Sequence, residues 1–271
     1  MTASAPETPP RRWRRRALWF LLAVLLALLT KFILHLLLPR NFTGSGEKVT
    51  FDLSGGEFQI LYYCGNQKPQ GIVILGTGDG GWSYWEENTA KHLMGKGFAV
   101  GGWDCRKFAD SRKYGHTELC EGFNAAVGAV QERSDAEDGT PVWYGGWSTG
   151  AEQSVAAATA ENRPDELTGL LLAAPGTHGR YGITTADLLG ADPSGPGAFA
   201  LADLGPKLQG LRVAQFAAGL DPMDDVKWLE SVKVPHKIFE LSLKLHDMGG
   251  AGPEFQEKVD EAIAWTLQTK P

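Results

Sequence analysis

The chain has 271 residues, 43% of them apolar and 21% charged, enough for one substantial core and short for two. Its formal net charge of -6 gives no general electrostatic reason to bind nucleic acid, whose phosphates demand clustered lysine and arginine. One domain with an appendage is the starting expectation.

The basic exception is Arg11, Arg12, Arg14, Arg15 and Arg16 at the amino terminus. They precede residues 17–38, ALWFLLAVLLALLTKFILHLLL, an apolar run of about the twenty residues that a bilayer-spanning helix requires. Arginines ahead of such a run favour a cytoplasmic amino terminus and export of the chain beyond the run. No small-x-small cleavage pattern lies in the sequence after it, LPRNFTGSG, so a signal-anchor is expected rather than a cleaved signal peptide. Lys31 and His35 would lie near the outer end, where they can reach toward headgroups. The expected organisation is a cytoplasmic basic tail at 1–16, a single transmembrane segment at 17–38, a linker at 39–47 and an exported domain at 48–271. Three cysteines, Cys64, Cys105 and Cys120, are too few for a disulfide scaffold. An oxidising exterior would permit one pair, Cys105 with Cys120 in preference, the alternative being three buried free thiols.

Within the domain, Lys48 to Leu53 and Glu57 to Tyr63 alternate as a hairpin around Ser54, Gly55 and Gly56. Gly71 to Leu75 is a short, wholly apolar run, as in a strand covered on both faces. Expected helices at 88–96, 118–133, 149–160, 225–232 and 253–267 then interleave with expected strands at 98–103, 142–145, 167–174, 213–218 and 236–243. Such alternation specifies an α/β fold with a mostly parallel sheet and helices on both faces. Ligands in such folds bind beyond the carboxyl ends of the strands. Residues 176–210, rich in Gly, Pro, Ala and Asp, break the rhythm and are expected as an insertion above that end.

Chemistry concentrates in PVWYGGWSTG, 141–150, where a strand runs into Gly146, Trp147, Ser148, Thr149, Gly150 and a small-residue helix. This is G-x-S-x-G in strand-turn-helix context, the nucleophile elbow of the α/β-hydrolase fold. A serine hydroxyl needs an imidazole to take its proton and a carboxylate to orient that imidazole. In the order Ser, acid, His, the base is His246, on a loop after the last strand; His236 opens that strand at the wrong end. Asp221, just beyond a strand, is the expected acid, whereas Asp224 and Asp225 are expected to begin the next helix. The oxyanion donors expected are the amides of Thr149 and of Asp79, in the loop GTGDGGW after Leu75. The Asp79 carboxylate would either attract a substrate ammonium or cap the following turn. Gly80 and Trp82 complete the expected substrate contacts. The histidines and cysteines show no metal-ligand spacing, and no cofactor is expected.

The signature GDGGW, Gly78 to Trp82, after a buried strand and followed by G-x-S-x-G and a late histidine, resembles the VirJ/AcvB virulence-protein family of exported α/β-hydrolases. The resemblance extends from about Gly71 to the end. It implies a periplasmic enzyme of Gram-negative bacteria, which with the expected signal-anchor would be held in the inner membrane, and a substrate such as the aminoacyl ester of lysyl-phosphatidylglycerol. Ser148, Asp221 and His246 match the family's triad pattern. The elbow GWSTG differs from the family's more usual aromatic-serine-phenylalanine type, and DCRKFADSRKYG after Trp103 matches only loosely. The sequence supports an ester hydrolase first, and second an exported binding or assembly module that keeps the fold without turnover. It names no protein partner.

Overall fold

The computed structural model describes residues 11–37 and 42–268, in two compact units divided between residues 38 and 39. The described residues of the first unit form one helix, α1 (Arg11–Leu37). From Leu18 to Leu34 its side chains are exposed, among them Trp19 and Phe20 at 71% and 70%. Among the described residues no helix is long and apolar enough to cross a membrane. The unbroken run of described side chains, 18–34, is short of the roughly twenty residues of a span. Residue 38 of the expected segment, residues 1–10 of the tail and residues 39–41 of the linker lie outside the described residues.

In the second unit, β1 (Glu47–Leu53) and β2 (Gly56–Tyr63) form the expected antiparallel hairpin at one sheet edge. Next come β3 (Ile72–Gly76), α2 (Tyr84–Gly95), β4 (Ala99–Trp103), α3 (Cys105–Ser111), α4 (His116–Ser134), β5 (Val142–Trp147), α5 (Thr149–Ala157) and β6 (Leu167–Ala173). The insertion holds β7 (His178–Arg180), α6 (Thr185–Leu188), β8 (Ala198–Ala200) and α7 (Leu201–Leu204). Beyond it come β9 (Arg212–Ala218), β10 (His236–Leu241) and α8 (Pro253–Thr266). The sheet order is β1-β2-β4-β3-β5-β6-β9-β10, parallel from β4 to β10.

Period-two alternation divides the core. Ile74, Tyr144, Leu170 and Val213 face Phe123 and Val127 of α4 and Val155 of α5. Val73, Leu75, Leu171 and Phe216 face Leu93 of α2 and Phe255 and Val259 of α8. The helices follow local signals: Ser83 and Glu86 form a capping box that starts α2 at Tyr84, earlier than Asn88. Asp104 caps α3, a helix the sequence pattern did not announce. The helix expected at 225–232 is only a 3-10 turn, Lys227–Ser231. Asp225 accepts from Lys227 N at 2.6 Å in a local turn, and Asp224 is spent elsewhere, so neither begins an α-helix. All three cysteines are free, so the expected Cys105–Cys120 pair is replaced by the alternative, with Cys105 and Cys120 buried and Cys64 half-buried.

The insertion lies against the first turns of α5. A Cβ on Gly179 would meet Glu152 Cβ at 2.8 Å, and Gln153 Nε2 donates to Arg180 O at 3.2 Å. Its middle is clasped by Arg180, whose guanidinium pairs with Asp187 at 3.0 Å and donates to Pro196 O at 2.6 Å and to Ser194 O. Both partners of that pair are about nine-tenths buried, so this charge-assisted contact is little screened by solvent.

The domain's entry segment is pinned by Glu87. This buried carboxylate accepts from Ser45 N and Oγ, from Tyr63 Oη at 2.6 Å and from Trp82 Nε1 at 3.1 Å, and pairs with Lys91 at 2.9 Å. Burial alone would raise its pKa; the donors outweigh it and hold the group at about 2, below its ordinary 4.5. A depressed carboxyl contributes stability above the ordinary value and loses it as pH falls through the depressed one. Glu87→Gln should therefore cost about 2 kcal/mol in thermal unfolding at neutral pH. The deficit relative to the parent should shrink between about pH 4.5 and about pH 2.

Candidate active site

The elbow is built by three glycines. A Cβ on Gly150 would lie 2.3 Å from the Gly76 carbonyl, one on Gly146 would lie 2.4 Å from Gly76 O, and one on Gly76 would lie 2.8 Å from Gly150 Cα. The end of β3 and the turn after β5 therefore touch backbone to backbone. Between those glycines Ser148 is held at φ 52, ψ -121, a conformation that costs a non-glycine residue on the order of 1–3 kcal/mol. Ser148 N donates to Ala173 O at 2.9 Å, and Ser148 O accepts from Ala151 N and Glu152 N. Thr149 is the first residue of α5, so its amide is one of the donors that a helix start leaves without an intrahelical acceptor.

His246 and Asp221 meet on the loops after β10 and β9. The two loops are zipped by Gly219 N donating to Leu241 O at 3.1 Å and Leu220 N to Lys244 O at 2.9 Å. His246 Nδ1 lies 2.6 Å from Asp221 Oδ2, and Asp221 Oδ1 accepts from Met223 N at 3.0 Å. The Asp221 side chain is 1% exposed and that of His246 25%, so the pair is shielded on the acid side and open on the imidazole side. Asp224 braces this loop from below, accepting from Ala218 N at 2.7 Å and Gln215 Nε2 at 3.0 Å. Burial pushes its carboxyl up to about 6, against the pull of the Ala218 amide and Gln215. His246 is brought beside the elbow by Trp147, whose Nε1 donates to His246 O at 2.8 Å and whose ring lies 5.2 Å from the imidazole. After His246, four residues from Met248 to Ala251 all have positive φ, a left-handed turn in which Gly249 and Gly250 are the unstrained members.

The loop after β3 lies on the other side of Trp147: a Cβ on Gly78 would meet that ring at 3.1 Å. Gly81 N donates to Gly78 O at 3.1 Å, making a turn with the half-buried Asp79 and Gly80 at its centre. Gly78 N donates to Glu86 and Trp82 N to Asp104, which peg the turn at both ends. Trp82 is a correction to the expected substrate contacts. It is 1% exposed, stacks on Tyr63 at 5.9 Å and fills the space over Gly102, so it belongs to the core and not to the mouth.

Glu152 and Asp224 were not singled out in the sequence for these places. Glu152 comes four residues after Ser148, a spacing that puts both on one side of a helix start. Its carboxyl is buried and accepts from Gly176 N at 3.1 Å. Burial raises its pKa to about 8; the Gly176 amide opposes this, and the charges of Asp79, Asp192 and Asp187 add to it. His178 pairs with Asp192 at 2.9 Å, His92 with Asp260 at 2.8 Å, and His116 lies 2.9 Å from Thr159 Oγ1; the exposed His236 opens β10, away from the site. No cluster of metal ligands occurs among the described residues.

No protein-family model and no curated protein sequence matches the chain. Solved structures do share its fold. An alpha/beta hydrolase, GrgF, from Penicillium has a TM-score of 0.63 at 12% identity, covering 81% of this chain and 97% of its own. Est1E from Butyrivibrio proteoclasticus has 0.61 at 14% identity over 82% of this chain and 99% of its own. The esterase domain of a Rhodothermus marinus protein has 0.57 at 14% identity over 80% and 97%. The chain has the α/β-hydrolase fold, and the site lies at the sheet end where that fold binds ligands.

The geometry sets two measurable outcomes. Ser148→Gly relieves the positive φ and should stabilise the fold by about 1 kcal/mol, whereas Gly150→Ala drives a methyl into the Gly76 backbone and should destabilise by more, both read by denaturant unfolding. A raised carboxyl stays protonated in the folded state while the unfolded chain releases its proton, so stability falls as pH rises from about 4.5 to about 8. Glu152→Gln, which keeps the acceptor for Gly176, should flatten that fall in thermal melts across the same window.

Proposed function

We propose that the chain is a membrane-anchored serine ester hydrolase with Ser148 as nucleophile, His246 as general base and Asp221 as its orienting acid. The observation that carries this is the Asp221–His246 hydrogen bond, held by Trp147 beside a strained serine at a helix start. Ser148 Oγ attacks the ester carbonyl while the distal nitrogen of His246 takes its proton, and Asp221 balances the imidazolium. The oxyanion is met by the amides of Thr149 and Asp79. The imidazolium then protonates the departing alkoxide, and water repeats the sequence on the acyl-serine. The esterase domain and Est1E among the structural neighbours are consistent with this chemistry.

The anchor is residues 17–38. The exposed apolar faces of α1 from Leu18 to Leu34 and the arginines before them support a span with the catalytic domain outside the cytoplasm. In the resemblance to the VirJ/AcvB family that location is the periplasm and the substrate an aminoacylated phosphatidylglycerol. The carboxylates of Asp79 and Asp192, which both act electrostatically on the Glu152 carboxyl, suit an ester carrying an ammonium group.

A fluorophosphonate probe should label the parent protein and fail to label Ser148→Ala; labelling of Ser148→Ala at the parent level would sink the assignment. On substrate choice, Asp79→Asn should lose roughly tenfold to a hundredfold in kcat/KM on lysyl-phosphatidylglycerol, the scale of a charge-assisted hydrogen bond. It should change little on an uncharged ester. Equal losses on both would give Asp79 a structural role only.

A further inference from the structure

The catalytic unit exposes few large apolar side chains, and they are not scattered. Among its described residues they are Tyr84, Leu189, Leu220, Met223, Ile238, Leu243, Leu245 and Leu267. All but Ile238 and Leu267 lie on the loops around the candidate site or, for Tyr84, at the start of α2. Leu243 is 81% exposed and Leu245 62%, on the loop that delivers His246, and Leu220 is 53% exposed beside Asp221. The hydrogen bond from Leu220 N to Lys244 O places these three together. Met223 comes next on the Asp221 loop, and its sulfur lies 3.9 Å from where a Cβ on Gly190 would be, so Leu189 adjoins it. Tyr84 joins from the start of α2, which is tied to the turn after His246 by Asn88 Nδ2 donating to Gly250 O at 3.0 Å.

A contiguous apolar rim at the mouth of the site is an interaction surface, because exposed leucines gain by leaving water. Its occupant is indicated by where the chain enters the domain. Phe42 packs on Tyr84 with ring centroids 4.4 Å apart, and Ser45 is fastened to Glu87 one turn further along α2. The polypeptide therefore joins the domain at the rim. In the sequence only residues 38–41 lie between the end of α1 at Leu37 and Phe42.

We propose that this rim, with Leu243 and Leu245 at its tip, seats on the surface of the lipid bilayer and presents the mouth of the site to ester lipids in that leaflet. The proposal rests on the anchored-hydrolase reading and adds to it an interfacial contact. Partial insertion of leucine side chains among headgroups, with Tyr84 at the boundary, is how monotopic proteins hold a lipid surface. Lys244, between the two leucines, pairs with Glu254 at 2.9 Å and so approaches the membrane with its charge balanced.

The test uses the full chain in vesicles of phosphatidylethanolamine and phosphatidylglycerol. A Leu243→Cys variant in a Cys64→Ser background carries an environment-sensitive fluorophore, and nitroxides on the lipid acyl chains act as quenchers. Cys105 and Cys120 are buried and stay unlabelled. The label at 243 should be quenched, whereas a label at Lys68→Cys, on the exposed loop before β3 at the opposite end of the sheet, should not be. In parallel, Leu243→Asp with Leu245→Asp should cut hydrolysis of a vesicle-borne lipid ester by roughly tenfold or more and leave a water-soluble ester within about twofold. Equal quenching at 243 and 68, or no quenching at 243, overturns the contact. Equal losses on both esters overturn it too, since the leucines would then serve the fold or the site itself. If the parent hydrolyses no ester, the hydrolase assignment fails, and the quenching result still decides the membrane contact.

Discussion

The indole of Trp147 is the contact on which the site's geometry depends. It is the last residue of β5, so its backbone position is set by the buried sheet, and it immediately precedes Ser148. Its nitrogen holds the His246 carbonyl, its face lies against the imidazole, its far edge meets Gly78, and it stacks on Trp85 at 5.8 Å. Three loops that arrive from strands far apart in sequence are thereby indexed to one ring. Packing of this kind is stiff because an aromatic side chain has few rotamers and each face is occupied. Small loop displacements at such sites are costly to reactions that need atoms within hydrogen-bonding reach.

Around that pivot the polar groups are arranged in layers. Asp221 touches the histidine; Asp224 touches the loop that carries Asp221; Gln215, anchored by Trp228 Nε1 at 2.8 Å, touches Asp224. Each buried carboxylate or amide is satisfied by the next, which avoids the penalty of a stranded polar group and fixes the direction of the one above. The same logic holds on the other side, where Glu86, Glu87 and Asp104 secure the glycine-rich turn. Backbone amides in that turn can then stay preorganised while glycines leave room for a bound group.

The parallel sheet was legible because its strands are short apolar runs bounded by glycine, and the elbow because three glycines flank a serine at a strand end. The meeting of Asp221 with His246 was legible because both residues lie on late loops that follow strands. Other features depend on partners that no local pattern reveals. Trp82 looked like a pocket residue within a glycine-rich loop, yet its indole is drawn inward by Glu87 and Tyr63. Asp224 and Asp225 had the composition of a helix start, but a strand-end amide and a local turn claimed their side chains first. Glu152 was hidden because its burial is imposed by the insertion folding over α5, a contact between segments that neither segment encodes alone.

The Arg180 clasp gives the insertion a property separate from stability. Because one buried guanidinium joins Asp187, Ser194 and Pro196, the stretch from 181 to 193 is closed at its base like a loop on a drawstring. Lengthening the stretch between Asp187 and Ser194 carries only a modest loop-closure penalty, about 0.6 kcal/mol per doubling of length. The β-sheet and the loops of the candidate site would not register the change. Sequence change confined to that stretch can therefore alter what surrounds the first turns of α5 while the architecture beneath it stays as it is.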